Sequence, residues 1–439
     1  MRLRDRTIAW SARYASSLIQ NGLVQNAISL YGVQISGYIL TLVTIPYIAR
    51  ILGTAGWGLV AFTQAFGAWV VLVGEFGFSL SATREVARHR DNREKLTEIL
   101  AGVLGAKALL TGVSIVLCIC VRWYVPIFRD HPELFWAGMY WALAQAFSMT
   151  WFFQGFERMR FVAILDIAAK FFVTIGIFVF VRHPHDGYRV LLLQGSGFLS
   201  SALCCLLFAY RDLPTRLPSR ESVFEAIRMG WSMFLFRSSA SLYTTGNAFI
   251  LGFFVSPQLV GCYAGAEKIS KAFVTLFNPI GQTLFPRLST LAHSGRDRAA
   301  RLARATTLVL GVAGVAIGVF IFTCAPYIVR IILGKGFEPA VPVLRIMSFL
   351  VPLIALSGVL GIQWMLPLGL DRAFNAIILI AGLINLVLAV VLAPIYAARG
   401  MAWAVVIAEA FVTGGMYLHL RGQRLDPLSY RANVGQEIA

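Results

Sequence analysis

The chain is divided into about twelve runs of mostly apolar residues, each near 20 long, and this spacing constrains the fold more than any other feature. About 20 helical residues rise roughly 30 Å, the thickness of bilayer hydrocarbon. The runs fall at approximately 26–48, 57–80, 98–121, 133–153, 162–181, 190–209, 227–252, 262–286, 305–325, 343–366, 374–393 and 401–420. In lipid each backbone N–H and C=O must be bonded internally, so runs of this length form helices. The 439 residues leave about 37 for each helix with its loop, and therefore no room for a separate soluble domain. The expected fold is an all-α polytopic membrane protein of about 12 transmembrane helices. A charged share of only 13% against 58% hydrophobic residues excludes an ordinary soluble enzyme.

The net charge is +17, from 38 Lys+Arg and 21 Asp+Glu. In a soluble chain such an excess would suggest nucleic acid; here its placement relative to a bilayer argues against that partner. With the N terminus in the cytoplasm, 23 of the 38 cations fall on the inner side, 8 on the outer side and 7 within spans. The positive-inside rule then favours cytoplasmic location of both termini, with inner loops suited to anionic membrane lipids. Residues 1–25 hold Arg2, Arg4, Arg6 and Arg13 beside Trp10, Tyr14 and Leu18, the pattern of an interfacial amphipathic helix. The tract 211–220, with Pro214 and Pro218, reads as part of a cytoplasmic linker (210–226) between six-helix bundles at 26–209 and 227–420, followed by a tail at 421–439. Each half starts and ends inside, as a parallel repeat about an axis along the membrane normal would. Gly58, Ala61, Val71 and Arg84 match Gly261, Ala264, Val274 and Arg287 at a constant offset of 203, too few identities to stand alone.

The cysteines at 118, 120, 204, 205, 262 and 324 lie in or beside spans and read as small packing residues. His183-Pro184-His185-Asp186 is the one histidine cluster, and no zinc spacing or Walker A motif occurs. No cofactor is expected, so transport would run on a proton or sodium gradient, a substrate gradient or removal of product.

Four segments carry a family signature. Pro46-Tyr47-Ile48-Ala49-Arg50-Ile51-Leu52-Gly53, followed by Trp57-Gly58, resembles the "PY..R.LG…G" link between the first two spans of bacterial polysaccharide flippases. Trp151 to Met159 resembles their "W..QG.E.M" segment, Gln363 to Gly369 their "Q.L.P.G" segment, and Gly261 to Lys268 their "G.Y..A.K" segment. The chain is similar over nearly its whole length to Wzx-type O-antigen or exopolysaccharide repeat-unit flippases of the MOP exporter superfamily. That resemblance implies a V-shaped pair of six-helix bundles alternating between inward-open and outward-open forms. The implied substrate is an undecaprenyl-pyrophosphate-linked oligosaccharide, moved to the periplasmic leaflet of the bacterial inner membrane. A polysaccharide polymerase would be a partner downstream. The implied cavity is lined mainly by spans one, two, seven and eight.

Ionisable residues inside spans point to a path, since each costs roughly 2.5–3.5 kcal/mol near the bilayer centre. Arg237 lies about ten residues, roughly 15 Å, into span seven; Lys271 lies at a similar depth in span eight, and Lys268 shares its face at i,i−3. Three unmet cations would cost about 9 kcal/mol, comparable to a domain's net stability, so they are expected to face water or counter-charge. A pyrophosphate is a suitable guest; the structural alternative is a Glu267–Lys271 pair at i,i+4 that neutralises itself. Asn247, Gln34, Gln64 and Gln145, with Asn26, Tyr31 and Thr63, are candidate sugar contacts or interhelical hydrogen bonds. Glu75, Glu267 and Glu409 are candidate ion-coupling carboxylates. Asp166 and Lys170 are expected to pair at i,i+4, Lys107 to make a bundle contact, and Pro279 to kink span eight. Trp57, Trp123, Tyr124, Trp136, Tyr327 and Trp403 are expected in interfacial belts.

Three other readings compete. A drug antiporter of the same superfamily would be expected to centre carboxylates, not Arg and Lys. A lipid II flippase shares the lipid pyrophosphate, although that family usually has fourteen spans. A membrane glycosyltransferase or O-antigen polymerase would be expected to carry a large periplasmic loop, and no outer loop here exceeds about 20 residues.

Overall fold

The computed structural model describes residues 40, 43–294 and 296–428, and all regular structure among them is helical. The end of span one and most of span two form α1 (43–75), continued by α2 (Phe78–Arg88) after a turn at Phe76 and Gly77. Next come α3 (Arg93–Tyr124), α4 (Pro126–Asp130), α5 (Pro132–Ala146), α6 (Thr150–Gly155), α7 (Met159–Phe180) and α8 (Gly187–Asp212). After the 211–220 tract follow α9 (Arg220–Thr244), α10 (Asn247–Leu251), α11 (Pro257–Thr275), α12 (Asn278–Ser294) and α13 (Arg296–Ile332). The chain continues through α14 (Ala340–Met347), α15 (Leu350–Ser357), a π-helical stretch (Gly358–Met365) and α16 (Asp371–Gly422). Asn26, Tyr31, Gln34 and the amphipathic segment 1–25 lie outside the described residues.

Among the described residues, seven helical stretches are long and apolar enough to cross a membrane. They account for eight of the twelve expected spans, because α16 holds spans eleven and twelve joined across a non-helical Ala397 (φ 51°). Span one lies mostly outside the described residues. Spans four, seven and eight do not qualify, and the reason is physical. Span four is cut at 147–149, span seven breaks at 245–246, and span eight breaks at 276–277, two residues before Pro279 in the first turn of α12. Non-helical backbone at membrane depth is tolerated only where protein or a cavity covers it, so interrupted helices belong to the interior.

Helix ends and interruptions leave carbonyls that need donors, and side chains from other elements supply several of them. Lys107 of α3, fully buried, donates to Ala146 O (2.7 Å) and Ser148 O (3.0 Å) where span four breaks, which is the expected bundle contact. Tyr47 donates from Oη to Val181 O at 2.8 Å, just past the end of α7. Arg50 donates to Ile331 O in the last turn of α13, where a cation also complements the helix dipole. Gly53 follows at φ 64°, a left-handed conformation that glycine takes without strain. Arg90 bonds both Gly155 O and Glu157 Oε1 at 2.7 Å. Three of the signature segments thus contain residues that close helix ends: Tyr47, Arg50, Gly155 and Glu157 do so here, and Trp364 donates to Leu425 O at 2.9 Å.

The two halves meet backbone to backbone. A Cβ on Gly58 would collide with Pro257 O and lie 2.8 Å from Gly261 N; a Cβ on Gly261 would collide with Thr54 O and lie 3.0 Å from Gly58 N. Thr54 and Pro257, like Gly58 and Gly261, differ by 203. Each residue therefore meets the repeat-mate of its partner, the reciprocal pattern of a two-fold contact. The sparse repeat read from sequence becomes a local pseudo-symmetry axis between α1 and α11.

Two outcomes follow from this packing. Lys107→Met leaves two buried carbonyls without a donor and is expected to cost about 1–3 kcal/mol, measured by thermal unfolding in detergent. Gly58→Val wedges α1 from α11, so spin labels at Thr54 and Pro257 should report a longer distance than in the parent protein; an unchanged distance would refute the close-contact role.

Candidate functional site

The α11 sequence places small residues at Gly261, Ala264 and Gly265, which lets the helix approach α1 closely. Lys268 is seven residues, two turns, beyond Gly261 and so returns to the same face. Its Nζ donates to Gln64 Oε1 at 3.2 Å and stands 4.3 Å from the centroid of the Trp57 ring. Gln64 in turn donates from Nε2 to Gln194 Oε1 of α8 at 2.8 Å. Trp57 was expected at the interface; it is instead only 2% exposed, because the Gly58 contact beside it brings α11 over the ring. Trp123, Tyr124, Trp136, Tyr327 and Trp403 are exposed, as belt residues should be.

Lys271 lies 3.0 Å from Glu267 Oε1 and donates to Thr244 O of α9 at 3.0 Å. Arg237 pairs with Glu75 at 3.0 Å and also bonds the Ser79 hydroxyl, tying α9 to α1 and α2. Phe76 stacks on Phe234 beside it, with ring centroids 4.4 Å apart. These contacts set the cations at different levels. Gln64 and Glu75 are eleven residues apart on one helix, about 16 Å, and Arg237 is seven residues, about 10 Å, from Thr244. The order along the seam is Arg237, Lys271, Lys268. The first two have carboxylate partners, while among the described residues Lys268 meets a neutral amide oxygen and an aromatic face. A cation over Trp is held by the ring quadrupole, about 0.5–2 kcal/mol according to exposure.

Other polar residues serve the bundle. Asn247 accepts from Asn385 Nδ2 at 2.9 Å, a buried link between α10 and α16. Glu409 is buried in α16 and accepts from Ser357 Oγ at 2.6 Å beside the π-helical stretch. Gln145 keeps a buried Oε1 without a hydrogen-bond partner among the described residues. Thr63 bonds Leu59 O in its own helix and packs its methyl against Gly138. The expected Asp166–Lys170 pair does not form: Asp166 accepts from Ser201 Oγ of α8 at 2.7 Å, while Lys170 is exposed and makes no ion pair among the described residues. Arg345 lies 5.5 Å from the Phe322 ring and donates to Phe322 O. Gln194, Asn385, Ser79 and Thr244 were not singled out from sequence; the first two are amides inside apolar runs, a signal that was present.

Outside the spans, Asp186 accepts from the backbone N–H groups of Arg182 and His183, both at 2.9 Å, and lies 3.2 Å from Arg189. Burial pushes its carboxyl up, but the two amides and the neighbouring Arg189 and His183 outweigh burial and hold it below the usual carboxylate range. A lowered folded pKa contributes stability that is present above the unfolded value, about 3.9, and lost as pH falls through the folded value. Asp186→Asn should therefore lower the melting temperature at neutral pH, and the gap to the parent should close below about pH 3.9; a gap independent of pH would rule out this role.

The sequence profile of the family described as polysaccharide biosynthesis protein matches residues 23–292. A protein of Escherichia coli (strain K12) described as an O-antigen transporter is 31% identical over 405 residues, spanning 92% of this chain and 98% of the relative. One of Shigella dysenteriae with the same description is 28% identical, spanning 88% and 97%. Among solved structures, the lipid II flippase MurJ in an inward closed conformation aligns with TM-score 0.67 at 12% identity, over 90% of this chain and 87% of that one. An inward-facing multidrug resistance MATE family transporter of the MOP superfamily aligns with TM-score 0.68 at 14% identity, over 92% and 100%. At these identities the structural likeness establishes the fold, that of MOP-type transporters. The chain is thus a multi-pass membrane transporter rather than an enzyme, and it belongs to the polysaccharide biosynthesis protein family.

Proposed function

We propose that this transporter moves undecaprenyl-pyrophosphate-linked oligosaccharide repeat units from the cytoplasmic to the periplasmic leaflet of the bacterial inner membrane, with both of its termini in the cytoplasm. The observation that carries the reading is Lys268: a half-buried lysine whose hydrogen-bond and ring partners among the described residues are neutral, its neighbour Glu267 being paired with Lys271. Counting the seam, Arg237, Lys268 and Lys271 stand against Glu75 and Glu267, three cations to two carboxylates, an excess of one. A pyrophosphate diester bears about two negative charges, and a contact at 4 Å contributes roughly 4 kcal/mol at an effective dielectric near 20, before desolvation. The same excess disfavours an organic cation as cargo.

On the orientation favoured by the loop charges, Arg237 is nearest the cytoplasm and Lys268 nearest the periplasm, where the Gly58–Gly261 contact closes the path. The anion enters by displacing Glu75 from Arg237, then Glu267 from Lys271, and reaches Lys268. Each exchange replaces one ion pair by another, which avoids the penalty of leaving a buried charge unmatched. The displaced carboxylates are then free to take a proton or sodium ion, which makes Glu75 and Glu267 coupling groups for an ion gradient. Glu409, held by Ser357 beside the π-helical stretch, is a further candidate coupling site. Asn247, Gln64 and Gln145 line or support this path, the bundles at 26–209 and 227–420 rock about the linker 210–226, and the exported unit passes to the polymerase machinery.

In cells with normal protein levels, Arg237→Gln and Lys268→Gln should each lower flipping about tenfold or more and accumulate lipid-linked repeat units on the inner leaflet, while Arg237→Lys and Lys268→Arg retain much of the activity. Unimpaired flipping in the Gln variants would refute the proposal.

A further inference from the structure

A cavity of about 320 Å³ lies between Leu40, Thr44, α5, α7 and α8. Its size is at the lower end of the roughly 300–1,000 Å³ that ligand pockets occupy. Trp141 supplies an aromatic wall, Thr44, Thr174 and Gln194 supply hydrogen-bonding groups, and Asp166 and Lys170 supply charges of both signs. An ionisable residue inside a span is costly, and by default it marks a ligand path. These two do not cancel each other: Ser201 orients the Asp166 carboxylate through Oδ1, the other oxygen makes no hydrogen bond among the described residues, and Lys170 makes no ion pair among them.

The cavity also connects to the cation seam. Gln194 accepts from Gln64, and Gln64 accepts from Lys268, so two side-chain hydrogen bonds separate the cavity lining from the last cation of the path. The donor and acceptor set selects a ligand class. An aromatic face takes the C–H face of a sugar ring, while a carboxylate, an amide and hydroxyls take its equatorial hydroxyl or acylamino groups. An acyl chain would leave Asp166 and Lys170 unmet, and a bare inorganic anion would make no use of Trp141 or the carboxylate.

The geometry points to a glycan subsite: this cavity holds the sugar ring attached to the pyrophosphate while the pyrophosphate itself sits at Lys268. The inference rests on the proposed lipid-linked substrate and deepens it, dividing recognition between a charge that reads the lipid phosphate and a polar aromatic pocket that reads the sugar.

The test uses the full chain in nanodiscs and two probes, undecaprenyl pyrophosphate and the same lipid carrying one N-acetylhexosamine. The glycosylated lipid should bind the parent protein more tightly than the bare one. Asp166→Asn and Trp141→Ala should each weaken the glycosylated probe about tenfold or more, leave the bare lipid within about twofold, and Trp141→Phe should restore most of the loss. Because Asp166→Asn is isosteric and Trp141→Phe keeps a ring, these two decide the matter if Trp141→Ala fails to fold. Equal binding of both probes by the parent, or equal weakening of both by Asp166→Asn, overturns the subsite while leaving the lipid-linked reading intact. Failure of the parent to bind either probe overturns both.

Discussion

The arrangement of this transporter depends on one contact, the crossing of α1 and α11 at Gly58 and Gly261, where neither helix has room for a Cβ. Lipid tails are as apolar as a leucine side chain, so helices in a membrane gain little from burying large apolar groups against each other and associate through close van der Waals packing and hydrogen bonds. Glycine makes such packing available. With the backbones in contact, Lys268, two turns along α11, reaches Gln64 and Trp57 on α1. A bulkier crossing would separate the lysine from both partners and leave a cation in hydrocarbon. The shared offset of 203 between the contacting pairs makes the crossing self-complementary, as expected where two related halves meet on their common axis.

The second constraint is backbone satisfaction. Spans four, seven and eight are interrupted, and a bilayer supplies no water to the freed groups. Side chains from other elements meet this at two of the breaks, Lys107 in span four and Lys271 at Thr244 beside the break in span seven, and Tyr47, Arg50 and Arg90 do the same at the ends of α7, α13 and α6. Several charges that look anomalous in an apolar sequence are therefore structural. What distinguishes Lys268 from Lys107 is the partner: Lys107 is engaged by two carbonyls and fully buried, whereas Lys268 has an amide and a ring that another acceptor can replace.

Much of the fold was legible in the sequence, because hydropathy reports length and depth directly. Most span positions, the break near Pro279 and the Glu267–Lys271 pair follow from local spacing, whereas the helix-end roles of the signature segments emerge only from long-range contacts. What depends on which helices become neighbours was not legible. Trp57 reads as an interfacial residue until α11 covers it, and Asp166 reads as the partner of Lys170 until Ser201 of α8 approaches it. Arg237 and Lys271 stand at similar nominal depth by counting residues, yet their contacts lie about 10 Å apart along α9, since helix tilt and the break at 245–246 are tertiary properties. The repeat was only faintly legible for a related reason: four identities in apolar sequence carry little weight until two of the matched positions are found in contact.

A graded series of cations, two with carboxylates and one with neutral partners, is suited to passing an anion through the membrane without burying an unmatched charge. Its most direct test is a solid-state magnetic resonance measurement of dipolar coupling between the ζ-nitrogens of ¹⁵N-labelled lysine and the phosphorus of bound undecaprenyl-pyrophosphate-linked oligosaccharide. The account predicts a coupling that disappears in Lys268→Gln and persists in Lys107→Met. A coupling unaffected by loss of Lys268, or absent from the parent protein with the lipid bound, would contradict it.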